Sequence, residues 1–219
     1  MSRLNIPQWK LLERRSPTLF LSAGVVLLGY AALNGLVAFT DMAYVAVKDV
    51  VGPAGFVLGF LGLLGLYPRL VDRSPALARV GAVCVSLGAA AFSVITLQGL
   101  AVVAGLESTS GPGILLLLVA VGMIPGYLSF GVATLRAPVD RWTVGLLLLL
   151  PAVVFAAMLS QAFVYAAFGV LSETTMRWSA FGISSAQAMA HLTIGYKLKE
   201  RISQTYGRSR PLTPQSTRE

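Results

Sequence analysis

The sequence predicts an all-α integral membrane protein, a six-transmembrane-helix bundle with its N- and C-termini in the cytoplasm. Three observations carry that expectation. Hydrophobic residues make up 56% of the 219 positions and charged ones 12%, with a mean hydropathy of +0.75, whereas soluble domains carry roughly 25% charge. The apolar residues fall in runs long enough to cross a hydrocarbon core, which takes about 20 residues of helix. The Lys and Arg residues lie between those runs and favour one side of them.

Residues 1–18 interleave Arg3, Lys10, Arg14 and Arg15 with Leu4, Ile6, Trp9, Leu11 and Leu12, the pattern of a basic interfacial segment. Ser16 followed by Pro17 reads as a helix start, an N-cap ahead of a proline at the first helical position. The first span, 19–39, outruns the apolar core of a secretory signal, about 7–15 residues, and is expected to be retained. The second is 44–67, with an alternative start at Pro53, since proline lacks the N–H that continues a helix ladder and a break is expected there. The remaining spans are 79–106, 113–135, 142–168 and 178–196. The fifth, roughly 40 Å long as helix, is too short to cross twice, and Pro151 inside it is expected to kink it. These spans make a single membrane domain over 19–196. The stretch 197–219 is basic and polar, contains Pro211 and Pro214, and is expected to be a disordered cytoplasmic tail.

Charge sets the orientation. With both termini cytoplasmic, Lys48 and Arg177 are the only basic residues left outside, while the 9 acidic residues divide almost evenly. A bias confined to Lys and Arg is the positive-inside pattern, and an odd number of spans would scatter it. Trp9, Trp142 and Trp178 all fall at expected interfaces, where aromatic belts sit. The expected location is a multi-pass position in a plasma membrane of the prokaryotic cell-membrane type. The net charge of +8 then reports contact with anionic lipid at the cytoplasmic face rather than a nucleic-acid surface.

Several chemistries are not expected. Cys84 is the one cysteine and His191 the one histidine, which excludes an intramolecular disulfide framework and a histidine cluster for metal. The sequence has no P-loop and no dinucleotide fingerprint, and Ser129 lacks the glycine two positions earlier that a Gly-x-Ser-Gly nucleophile motif requires. No enzyme activity, cofactor or metal is expected.

Packing and polarity remain. Gly52, Gly55, Gly59, Gly62 and Gly65 are spaced by three and four and share one helical stripe. Gly122 and Gly126 flank Pro125 in a second small-residue pair. Small residues let helices approach in lipid, where the hydrophobic effect does not drive them together.

Three sets of polar residues stand out. On the sixth span Ala180, Ser184, Gln187, His191 and Gly195 share a face, with Ile183, Met189 and Ile194 expected elsewhere. This face suits either a proton relay or ligand contact, or a hydrogen bond between helices. Asn34, Gln98 and Gln161 lie at similar depth, roughly 23–28 Å up a core of about 30 Å, which suits a shared pocket or separate contacts with headgroups. Lys48 and Asp49, with Asp41 able to share their helical face, precede Gly52–Pro53, and a broken helix bearing charges can hold an ion or substrate.

Two functional classes follow. One is a non-enzymatic structural or accessory membrane protein whose glycine stripes serve association with a second copy or a membrane partner subunit. The other is a small transporter or channel for a solute, ion or lipid, using the polar groups of spans one, three, five and six.

Overall fold

The computed structural model describes residues 7–40, 46–106, 113–136, 142–169 and 172–207. Every regular element among them is helical. They are α1 (Pro7–Thr40), α2 (Lys48–Leu64), α3 (Tyr67–Val71), α4 (Pro75–Val103), α5 (Gly113–Val121), a π-helical turn (Gly122–Gly126), α6 (Tyr127–Leu135), α7 (Trp142–Phe168) and α8 (Glu173–Gly207). Four helical stretches are long and apolar enough to cross a membrane: Trp9–Thr40, Pro75–Val103, Gly113–Leu135 and Trp142–Phe168. These give the chain the character of a membrane protein. Two rods stand outside that set for reasons visible in their residues. α2 has 17 residues and begins on Lys48 and Asp49. α8 carries Ser184, Gln187, His191 and Thr193 through its middle and Lys197, Lys199 and Arg201 after it.

Three sequence expectations about helix ends are corrected. Ser16–Pro17 starts no helix, because Pro17 lies inside a continuous α1. The Ser16 hydroxyl, which would have capped, donates instead to the Gly62 carbonyl of α2 at 2.8 Å. Gly52–Pro53 does not break α2, which begins at Lys48 and keeps Pro53 in its second turn. Proline there leaves the Asp49 carbonyl outside the helix ladder, and that oxygen faces α4, 2.6 Å from where a Cβ on Gly99 would stand. The expected start at Tyr44, like Asp41, lies outside the described residues, and the alternative start at Pro53 falls inside α2. Nor does order end at residue 197. α8 continues through Gly207, helped by a Lys197–Glu200 ion pair at 3.0 Å and by Leu198, which is buried against the core. Residues 208–219 lie outside the described residues.

The helices form a ring in which each rod runs antiparallel to the next: α1, α2, α4, the α5–α6 rod, α7 and α8, with α8 closing back on α1. Glycines mark the closest approaches. Gly55 and Gly62 of α2 meet Leu27 and Phe20 of α1, and Gly24 and Gly195 pair α1 with α8. Gly131 and Gly145 lie between α6 and α7. At the crossing of α4 with the π turn, two glycines touch directly. A Cβ on Gly122 would fall 2.6 Å from the Gly88 Cα.

Pro125 explains the π turn, because a residue without an N–H interrupts the i→i−4 ladder and a wider turn accommodates it. The ring changes character at this level. On one side Phe20, Phe60, Leu63, Met123, Phe130 and Leu148 are fully buried in a continuous core. On the other, α7 keeps its packing against α8 but makes no contact with α5 comparable to its contact with α6 and the π turn.

Backbone-to-backbone contact cannot be relieved by a side-chain rotation. Gly122→Ala should therefore lower stability by about 1–3 kcal/mol, read as an earlier thermal unfolding in detergent. Gly182→Ala, where nothing lies within 4 Å, should hold or raise stability by up to about 1 kcal/mol.

Candidate functional site

His191 sits at the centre of the ring, fully buried. Its Nδ1 lies 2.7 Å from the Gln187 carbonyl one turn back on α8, and its Nε2 lies 2.7 Å from the Tyr127 hydroxyl on α6. A carbonyl only accepts, so Nδ1 carries the proton and Nε2 accepts from Tyr127. Phe20 of α1 and Phe56 of α2 tilt against the imidazole, with ring centroids at 6.0 and 6.3 Å. Gly59 makes room for the pair. A Cβ there would fall 2.7 Å from Nε2 and 3.1 Å from the Tyr127 oxygen. Both ring nitrogens are thus engaged, Nδ1 within α8 and Nε2 across to α6.

One turn before His191 on α8, Gln187 is 1% exposed and donates its amide to the Pro151 carbonyl of α7 at 2.9 Å. The carbonyl acceptor fixes which way the amide points, since the flipped group would set two oxygens against each other. That leaves Oε1, which meets no hydrogen-bond donor among the described residues. Gln187 borders a partly open cavity of about 520 Å³ among the rods of the ring. Every rod contributes to the wall: Tyr30 from α1, Phe56 from α2, Phe92 and Gln98 from α4, Leu116 from α5, Phe155 and Gln161 from α7, and Ser184 from α8. Among the described lining residues there is no Asp, Glu, Lys or Arg.

The sequence candidates separate into three groups. Gln98, Gln161, Ser184 and Gln187 come together on this cavity. Asn34 stands behind its wall, buried, with its amide donating to the Ser184 hydroxyl at 3.3 Å; that hydroxyl in turn donates to the Ala180 carbonyl at 2.7 Å. His191 lies beyond Gln187, outside the lining. Lys48 and Asp49 also stand outside it, although Gly52 and Pro53 of the same helix line it. Gln161 accepts a hydrogen bond from Ser179, joining α7 to α8 near the end of their hairpin.

The glycines follow the packing. Gly52, Gly55, Gly62 and Gly65 face Tyr30, Leu27, Phe20 and Leu12–Ser16 of α1, Gly59 faces the centre, and Gly122 and Gly126 face Gly88 and Val85 of α4.

The expected face of α8 is too narrow. Ile183 lines the cavity and Ile194 is fully buried, because α8 packs on both α1 and α7 and buries more than one stripe. Met189, by contrast, does point away from that face and is 58% exposed. Tyr127 was missed altogether. A phenol late in the fourth run gives no sign of its partner, 64 residues away, though a buried tyrosine next to a helix irregularity at Pro125 is a usable signal. No known protein family, curated protein or solved structure matches the chain.

Removing the Tyr127 hydroxyl leaves a buried nitrogen without its donor. Tyr127→Phe should cost about 1–3 kcal/mol, and His191→Leu should cost less in that background than alone. The cycle should return a coupling of about 0.6–1.7 kcal/mol by unfolding in mixed micelles, and additive losses would show that the bond contributes nothing.

Proposed function

We propose that the chain is a six-span integral membrane protein of a prokaryotic-type plasma membrane, with the ends of α1 and α8 in the cytoplasm, that binds or carries a small molecule in the cavity of its bundle. The six-span reading adds α2 and α8 to the four apolar helices. Both lie alongside α1 through its apolar length: α2 from Gly52 at Tyr30 to Gly65 at Leu12, and α8 from Phe181 at Gly35 to Gly195 at Pro17. Ser184, Gln187 and His191 of α8 are buried inside the bundle, where polar groups in a membrane interior belong. The basic residues Arg69, Arg73, Arg136 and Lys197 then fall at one end of the ring, facing anionic headgroups.

The cavity carries the functional reading. Closely packed bundles leave few voids larger than a water, roughly 30 Å³, and the partly open cavity here measures about 520 Å³. That volume lies within the usual range of ligand sites, about 300–1,000 Å³. The non-enzymatic reading rests on His191, whose nitrogens are both engaged by Tyr127 and Gln187, and on Cys84, which does not line the cavity.

The accessory reading has one observation in its favour. The tip of the α7–α8 hairpin is exposed on all sides from Ser160 to Gly169, with Phe163 and Phe168 at 68% and 70% exposure, a surface that a second copy or partner subunit would cover.

Ile183→Trp should fill the cavity with little loss of thermal stability. In native mass spectrometry from mild detergent, the parent protein should retain a small molecule at fixed stoichiometry and the variant should lose it. A bare parent that appears only as an oligomer, with the variant identical to it, would move the assignment to the accessory reading.

A further inference from the structure

Ligand class and route of entry can both be read from the cavity wall. The wall holds no charged side chain among the described residues, so an ion or zwitterion would enter without a counter-charge, at a cost of several kcal/mol. It is mostly apolar, with Phe, Leu, Ile and Met its bulkiest aliphatic and aromatic members and amides and hydroxyls at separate points. Gln187 borders the cavity with an amide whose oxygen is buried and has no donor among the described residues, so a ligand meets that oxygen as the side chain turns toward the cavity. Few buried polar atoms in folded proteins are left so.

The way in is lateral. Below the π turn α6 and α7 are in close contact, with Gly131 and Gly145 at the crossing. Above it α5 and α7 make no comparable contact. Leu116 of α5 and Ala162 of α7 line the cavity and are themselves exposed, with Leu116 at 57%. Leu117 and Phe163 beside them are exposed as well. A mouth bordered by Leu, Ala and Phe suits hydrocarbon better than water.

We infer that the cavity takes an uncharged, membrane-soluble molecule with an apolar body and a terminal hydroxyl, which enters sideways from the bilayer between α5 and α7 and donates its hydroxyl to Gln187. This rests on the cavity being the binding site proposed above. The ligand supplies the donor that the fold withholds from Oε1, and its chain lies along Phe56, Phe92, Phe155 and Met158 toward the gap.

The test uses the full chain in lipid nanodiscs with three photoreactive probes of equal chain length: a long-chain primary alcohol, the matching alkane and the matching carboxylate. Labelled peptides are mapped by mass spectrometry. The alcohol should label α5, α7 and α8 saturably and at least several-fold more than either analogue. Gln187→Met should weaken saturable labelling by the alcohol roughly three- to tenfold and leave the alkane unchanged. Ala162→Trp, on an exposed position, should slow labelling without altering thermal unfolding. Equal labelling by alkane and alcohol, preference for the carboxylate, or unchanged kinetics in Ala162→Trp would overturn this inference while leaving a ligand cavity in place. Absence of saturable labelling by all three probes, together with a bare protein in native mass spectrometry, would overturn the cavity reading itself. If Gln187→Met does not fold, the alcohol-to-alkane preference of the native chain decides.

Discussion

In the middle of the ring the Tyr127 hydroxyl meets the His191 imidazole at 2.7 Å, with Phe20 and Phe56 against the imidazole. A polar group left unpaired there would cost several kcal/mol, so α6 and α8 are constrained to one separation and one rotation about their axes. α2 has to pass beside the pair, and it can do so only where it has no side chain. Gly59 is that point, and it fixes the depth and facing of α2. The same stripe then carries Gly52, Gly55, Gly62 and Gly65 onto α1, and the Ser16 hydroxyl reaches the Gly62 carbonyl. Much of the arrangement of α1, α2, α6 and α8 follows from satisfying one imidazole.

The distribution of glycine and proline divides the bundle along its length. Toward the basic end, glycines on facing helices bring backbones together and large side chains fill what remains, which leaves a dense core. Toward the other end the π turn at Pro125 redirects the α5–α6 rod, and α5 parts from α7. Proline removes a hydrogen bond from the ladder, while Gly122 and Gly126 hold the turn against α4. Dense packing on one side of the turn and a cavity on the other are two results of one local irregularity.

The polar chain also links the two halves. The Gln187 backbone carbonyl accepts a hydrogen bond from His191 Nδ1 while the Gln187 side chain donates to Pro151 and borders the cavity. A ligand that engages Gln187 therefore acts on a residue already tied, through one turn of α8, to the centre of the packed half. Across the lateral gap α5 and α7 make no close contact, while α7 is tied at that level to α8 through Pro151–Gln187 and Gln161–Ser179.

Composition and the spacing of apolar residues were enough to establish a helical membrane protein, because a bilayer demands long, internally hydrogen-bonded apolar segments and few other arrangements satisfy that demand. The amides Gln98, Gln161 and Gln187 were also legible as unusual, since a polar group in an apolar run is conspicuous in one dimension. Which of them meet was not. Helical periodicity places Ser184, Gln187 and His191 on one face, yet Gln187 turns to a cavity and Pro151 while His191 turns to Tyr127, a residue the pattern does not mark. Helix ends escaped for a related reason. Ser16–Pro17 and Gly52–Pro53 carry local signals for a start and a break, and contacts with α2 and α4 overrode both. Local and periodic features are written in the chain because they depend on near neighbours and on the solvent. The pairing of Tyr127 with His191, the room left by Gly59, and the gap between α5 and α7 depend on how the rods rotate against one another, and only the packed bundle settles that.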